Sequence, residues 1–252
     1  MITNNTYFSP ENNMKYMSAS QFKSFMACEA AALAELRGEY TRDKTTALLV
    51  GSYVDAYFEG SLERFRAENP ELFTKQGGLK SEYRQAERII ERITGDKLFM
   101  KYMSGEKQVI KVGEIEGIPF KIKIDSYHPG KAIVDLKIMK DFAPVYKEGQ
   151  GRLNFIEAWG YDIQGAVYQA IEGNHLPFFV AAATKEKEPD MAVISIAQPY
   201  LDTAMEIVKA NVQRFADLKK GIGEPIRCEK CDYCKQTKVL DRVITMEDLD
   251  ND

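Results

Sequence analysis

Three of the chain's four cysteines fall within seven residues, "CEKCDYC" from Cys228 to Cys234. Two residues separate each neighbouring pair, and the remaining cysteine, Cys28, lies far upstream. The chain begins "MITNNTYFSP", with neither a basic start nor an apolar signal core, so a cytoplasmic location is expected. Structural disulfides are rare there, and C-x2-C spacing more often binds metal or does redox work. Thiolates suit zinc as well as iron–sulfur clusters, and either would want a fourth ligand beside these three. The rest of the fold has to supply it.

With 252 residues, 44% of them apolar, the chain is long enough to bury a full core. The longest apolar run, near "LPFFVAAA", is far short of the roughly 20 residues that span a bilayer. Net charge is −4, which does not advertise nucleic-acid binding. The balance is uneven, however. Residues 97–147 hold ten Lys, no Arg and six Asp or Glu, whereas the end, "MEDLDND", is acidic. A Lys-rich stretch of this kind reads equally as a solvated face.

"SASQFKSFMACEAAALAELRGEY" reads as one helix, with Ser18 as its cap and Gln21 completing a capping box. "TTALLVGSYVDAYFEG" and "SEYRQAERIIERITGD" are further helices, ended by Gly60 and Gly95. The period then changes from helix to strand. In "IPFKIKIDSY", Phe120, Ile122 and Ile124 alternate with Lys121, Lys123 and Asp125, the pattern of a half-buried strand. "HPG" is a turn and "KAIVDLKIM" a second strand. A long helix over "NFIEAWGYDIQGAVYQAIEGN", strands "PFFVAAAT" and "MAVISIA", and a helix from 200 to 221 complete the order. The expected class is α/β with a mixed sheet flanked by helices. One domain is expected over 1–252: a helical part (18–95), a core (105–220), a cysteine segment (225–235) and an acidic tail (240–252).

Asp135 and Lys137 are two apart on a strand and project from one face, while Leu136 points into the core. The HPG turn is expected to lay this strand beside the one ending at Asp125. Two carboxylates and an amine would then meet at a sheet edge. Hard divalent cations take such oxygens and leave room for water and phosphate, and a nearby lysine can steady charge developing on phosphorus. An isolated D-x-K is more often a surface ion pair. Two other patterns bear on it. Gln164 and Tyr168 share one helical face with Tyr161, and Gly51, Asp55 and Glu59 recur at four-residue steps. Gly51 inside a helix suggests a close packing contact.

G-x3-D-x3-E (Gly51, Asp55, Glu59), Asp125, D-L-K (Asp135 to Lys137) and Q-x3-Y (Gln164, Tyr168) follow in that order. The layout resembles the PD-(D/E)xK nuclease superfamily in its RecB-like branch, over about residues 18 to 235, and is similar to phage and prophage RecE-like exonucleases. The resemblance implies a restriction-endonuclease-like core. It implies Mg²⁺ or Mn²⁺ held by Asp55, Asp125, Asp135 and the Leu136 carbonyl, with Asp55 standing where the family usually has a histidine. It also places Glu59, Asp125, Asp135, Gln164 and Tyr168 in the catalytic set, with Lys137 as the catalytic lysine. Lys121, Lys123, Lys140, Lys185 and Lys187 could then line a DNA path, giving salt-sensitive affinity.

Cluster-bearing members of the same branch carry one cysteine before the nuclease motifs and three after. By that resemblance Cys28 joins Cys228, Cys231 and Cys234 around a 4Fe–4S cluster. The last gap is shorter here than in those relatives, which keeps Zn²⁺ open. The expected activity is a metal-dependent DNA exonuclease, working in phage homologous recombination beside a single-strand annealing protein. The resemblance also allows a homo-oligomer. The alternatives are an endonuclease, a CRISPR-adaptation nuclease, or a non-catalytic DNA-binding module with a structural metal. An electron carrier leaves the acidic motifs unexplained. His128 and His175 read as loop residues, and no G-x4-GK-[ST] loop for ATP is present.

Overall fold

The computed structural model describes residues 2–240, 242–243 and 245–246. The acidic tail expected over 240–252 lies largely outside them. The first part is helical: α1 (Pro10–Lys15), α2 (Ala19–Ala27), α3 (Glu29–Arg37), α4 (Thr46–Glu59), α5 (Leu62–Glu68), α6 (Gln85–Thr94) and α7 (Lys97–Tyr102). Strands follow: β1 (Val109–Ile115), β2 (Ile118–Ile124), β3 (Ser126–His128), β4 (Ala132–Met139), β5 (Val145–Lys147) and β6 (Gly151–Leu153). Then come α8 (Phe155–Ala158), α9 (Tyr161–Glu172), β7 (Phe178–Thr184), β8 (Met191–Ser195), α10 (Gln198–Lys219) and α11 (Asp232–Gln236). Among the described residues no helix is long and apolar enough to cross a membrane.

A four-stranded mixed sheet, ordered β3-β4-β7-β8, organises the molecule. β4 and β7 run parallel, and the other pairs are antiparallel. The parallel pair is covered on both faces, which is why "AIVDLKIM" and "FFVAAAT" read as near-continuous apolar runs. Ile133, Met139, Phe178, Val180 and Ala182 face the core shared with α2, α9 and α10. Val134, Leu136, Ala181 and Ala183 face a second core built on α4 and α6. Asp135 and Lys137 therefore stand on the α2–α9 side and Leu136 on the other, as the period-two reading requires.

Two expected helices are broken. The helix expected from Ser18 onward divides at Cys28, whose extended backbone (φ −165°, ψ 110°) ends α2 and begins α3. The Cys28 Sγ accepts the Ala31 N–H at 3.5 Å, so a thiol serves as the cap. Ser18 does cap α2, but Gln21 donates to the Asn13 carbonyl instead of closing a box. The helix expected from 154 divides at Gly160, which has φ +62°. Left-handed backbone costs glycine little.

The hairpin differs too. "IPFKIKIDSY" is not one strand but two, β2 and β3, joined at a kink on Asp125. β2 pairs with β1, while only three residues of β3 pair with β4 across the HPG turn. His128 ends β3 rather than lying in the turn. β1 is a further strand, joined to β2 by a tight turn at Glu116 and Gly117; both residues have positive φ, as a two-residue hairpin turn needs.

Lys121 is not on a solvated face. It is 1% exposed, its Nζ donating to Asn13 Oδ1 at 2.7 Å and to the Tyr7 carbonyl. Residues 7–17 cover that side of β2, and the Met17 N–H donates to the Pro119 carbonyl at 2.8 Å. Lys121 is therefore removed from any DNA path. Burial pushes its pKa down to about 8.

Gly51 does pack α4 against β4, yet a methyl there would meet Ile138 Cβ at an ordinary 3.8 Å. Close approach does not require glycine. Gly51→Ala is expected to raise stability by about 0.5–1 kcal/mol, read as a higher urea midpoint at unchanged slope.

Candidate functional site

Continuing the β3–β4 register by one step places Asp125 opposite Asp135. The ladder ends there because the Asp125 side chain takes over: its Oδ2 accepts the Leu136 N–H at 2.9 Å. Its Oδ1 accepts from Gln108 Nε2 at 3.3 Å. Asp135 is 2% exposed, and its Oδ1 accepts from Gln164 Nε2 at 2.6 Å. Lys137 Nζ lies 2.5 Å from Asp135 Oδ2, a largely buried ion pair. The two aspartates and the amine expected from the D-x-K pattern do meet.

Burial, and then the neighbouring Asp135 charge, push Asp125 up to about 7 against the opposing pull of Lys137 and the Leu136 N–H. Asp55 is raised as well, by burial first and by Asp125 next. Burial acts to lower the Lys137 pKa, but Asp135 and Asp125 outweigh it and hold the amine protonated. A carboxyl with a raised native pKa binds a proton that the unfolded chain has already lost. Without divalent cations, this group's contribution to stability therefore falls as pH rises from about 4 to about 7. Wild type is expected to be more stable at pH 5.5 than at 7.5 by about 1–2 kcal/mol from this source. Asp125→Asn should flatten that difference in paired urea titrations.

α9 supplies the wall behind Asp135. Gln164 holds the carboxylate, and Tyr161 lies under Lys137 with its ring centre 5.4 Å from Nζ. Tyr168 lies beside the site, close enough for the Asp135 and Asp125 charges to act on its hydroxyl. Its buried hydroxyl donates to the Lys123 carbonyl at 2.9 Å, which anchors β2 two residues before Asp125.

Two residues went unnoticed in the sequence. Lys23, the only cation in α2, donates to the Trp159 carbonyl at 3.3 Å and to Gln164 Oε1 at 3.5 Å. Burial, and then repulsion from Lys137, lower its pKa to about 8. A lone lysine amid Phe22, Phe25 and Met26 was the available signal. Gln108 sits in the bend before β1, where no periodicity marks it.

Asp55 and Glu59 approach from α4. Glu59 accepts from Ser61 Oγ at 3.1 Å and lies 3.8 Å from Lys123 Nζ. With Asp125, Gln108 and Leu136 they line a void of about 10 Å³, close to one water-sized sphere. Asp55, Glu59, Gln108 and Lys123 also line an adjoining cleft of about 360 Å³. The buried Gln108 Oε1 lacks a hydrogen-bond partner, and Asp135 Oδ2 meets only the Lys137 ammonium. Oxygen donors, a small void and orphaned lone pairs fit a hard divalent cation.

The remaining lysines are dispersed. Lys123 sits at the cleft mouth, 5.0 Å over the Phe8 ring. Lys185 is half-buried and donates to the Ala47 carbonyl at 3.0 Å, at the start of α4. Lys140 and Lys187 are exposed.

The cysteines converge. All four Sγ atoms lie within 4.8 Å of one another, with Cys28 and Cys234 at 3.6 Å and Cys228 and Cys234 at 3.9 Å. Cys228 and Cys231 each accept a backbone N–H from three residues on, as Cys28 does. Burial raises the Cys231 pKa to about 12, and neighbouring thiols add to the shift. A metal bound here would take the four sulfurs as thiolates and displace their protons. Around one ion with Zn–S bonds of about 2.3 Å, tetrahedral edges are about 3.8 Å, matching these separations. A cubane binds each thiolate on a different iron, so its sulfurs splay outward and stand farther apart. This arrangement of four sulfurs could hold a metal. Glu29 supports it, pairing with Arg214 at 2.6 Å and accepting the Ile226 N–H at 2.7 Å.

A mixed sheet with aspartates at a kinked strand and a lysine beside them is the architecture of a PDDEXK-type domain. The chain belongs to the family described as "PDDEXK-like domain of unknown function (DUF3799)", whose family model matches residues 18–237. A crystal structure from Eubacterium rectale, named "Putative exonuclease", is 49% identical over 99% of this chain and 98% of that one, with TM-score 0.93. The crystal structure of SSO0001 aligns at TM-score 0.32 and 12% identity, over 79% of this chain and 85% of that one, too slight a likeness to argue from. No curated protein matches the chain.

Proposed function

We propose that the protein is a divalent-cation-dependent DNA exonuclease. The observation that carries the reading is the convergence of Asp125, Asp135 and Lys137 beside a cation-sized void with an orphaned oxygen. The Eubacterium rectale relative's name adds support for exonuclease action. Asp55, Asp125, Asp135 and the Leu136 carbonyl would hold Mg²⁺ or Mn²⁺. Such an ion, when bound, supplies Lewis-acid polarisation of a phosphate oxygen and a more acidic water. Lys137 faces the place where negative charge grows on the phosphate and stabilises it there. Lys23 adds a second ammonium beside it, which favours an anionic substrate. Gln164 keeps Asp135 oriented, and Tyr168 fixes the strand that carries Asp125. Glu59 and Lys123 line the adjoining cleft, and Lys123 there, with Lys140 and Lys185 elsewhere on the surface, would contact a DNA backbone.

The products are a 5′-phosphate and a 3′-hydroxyl, and the role is phage recombination beside an annealing protein in the host cytoplasm; both rest on the family resemblance. The thiolate centre holds one zinc ion rather than an iron–sulfur cluster, on the sulfur separations. Protein purified without oxygen should be colourless with one zinc per chain. A brown protein with four irons and matching sulfide would reverse that choice.

End-labelled linear duplex, closed circular duplex and single strands, each with Mg²⁺, Mn²⁺ or EDTA, test the activity. Linear DNA should shorten from an end only with a divalent cation, and closed circles should survive. Nicked circles would make the protein an endonuclease. Binding without digestion of any substrate would make it a DNA-binding module.

A further inference from the structure

The void between Asp55 and Asp125 has a fifth polar group that the D-x-K pattern does not account for. Gln108 is 9% exposed and holds φ +54°, a backbone region that residues other than glycine rarely occupy. Such strain persists where surrounding structure over-determines it, and it clusters at functional sites. Here the two neighbours of the side chain determine its direction. The Nε2 donates to Asp125 Oδ1. With a cation bound Asp125 is deprotonated, and the amide cannot then turn over, because its oxygen would face a carboxylate oxygen with no proton between them. The Oε1 is thereby forced to the other side, toward the void it lines with Asp55, Glu59 and Leu136, and no donor reaches it there. A buried, unpartnered amide oxygen carries a desolvation cost that a ligand must offset.

We propose that Gln108 supplies a neutral oxygen ligand to the divalent cation held by Asp55 and Asp125, in the void that the three side chains line. This rests on the cation-dependent nuclease reading above. A neutral donor suits the place: the site already carries several acidic groups, and another carboxylate would add repulsion in the empty protein. An amide adds coordination without charge. Through its Nε2 the same side chain also orients Asp125, so one residue sets both a ligand and its neighbour.

The test is calorimetric titration of Mn²⁺ into wild type, Gln108→Asn, Gln108→Glu and Asp125→Ala, with thermal melts to confirm folding. Asn tolerates the left-handed backbone but withdraws the oxygen, so Mn²⁺ affinity should fall about 10- to 100-fold. Gln108→Glu restores the reach and adds charge, so binding should equal or exceed that of wild type. An Asn variant within twofold of wild type, while Asp125→Ala loses binding, overturns the ligand role and leaves the nuclease reading intact. Wild type that binds no Mn²⁺ at a site sensitive to Asp125→Ala overturns both.

Discussion

Lys137→Ala is expected to lower DNA turnover by about 10²- to 10³-fold while leaving Mn²⁺ affinity unchanged or tighter. The asymmetry follows from what the amine touches. It lies 2.5 Å from Asp135 Oδ2 and lowers the pKa of Asp125, so in the empty site it competes with any cation for the same carboxylates. Removing it takes away repulsion felt by the ion and also the charge that meets the phosphate. The first effect favours binding and the second costs rate. Lys137→Arg should not rescue the rate, because a planar guanidinium cannot replace a compact ammonium wedged between Asp135 and the Tyr161 ring. Single-turnover rates at saturating Mn²⁺, with affinity measured separately, separate the two. If the Ala variant cleaves within tenfold of wild type, Lys137 is merely the counter-ion of Asp135.

Asp135 and Lys137 were legible because strand periodicity is strict. Once "KAIVDLKIM" is a strand, Asp135 and Lys137 must share a face and Leu136 must oppose them, and the core contacts agree. Lys121 misled for the same reason. Alternation says which face a residue is on but not whether something covers that face, and residues 7–17 cover this one. The kink at Asp125 was invisible because it depends on a side chain taking a backbone partner on another strand. Cys28 within an otherwise continuous helical pattern gave no hint of a break, since a thiol rarely caps a helix. Gln108 was beyond reach: nothing local distinguishes a glutamine in a bend, and its meaning lies in Asp125 and Asp55, distant in sequence and close in space. Periodicity thus located the groups held by regular structure and missed those aimed by irregular backbone.

Cys28→Ser is expected to lower both thermal stability and nuclease rate, although Cys28 is not part of the carboxylate site. A metal held by the four proposed thiolates would tie the end of α2 to the segment after α10, closing a loop of about 200 residues. Losing a cross-link over so long a span costs about 3–5 kcal/mol, or roughly 10 °C in a chain of this size. The Glu29–Arg214 pair and the Ala30–Ile226 backbone contact remain, so the C-terminal segment should loosen rather than leave. The effect on rate comes through α2. Lys23 lies five residues before Cys28, about 7.5 Å along the helix axis, and it faces Gln164, which in turn holds Asp135. Once its far end is released, α2 can shift by a fraction of a turn, and Gln164 loses its partner. The expected loss of rate is about tenfold, with a smaller loss of Mn²⁺ affinity, because none of Asp55, Asp125 and Asp135 is carried by α2 and only Asp135 is held through Gln164. Lys23→Met, which keeps the thiolate centre, should reproduce the rate loss without the fall in melting temperature. If Cys28→Ser melts 10 °C lower yet cleaves at the wild-type rate below its transition, the centre is a staple alone and the link through Lys23 fails.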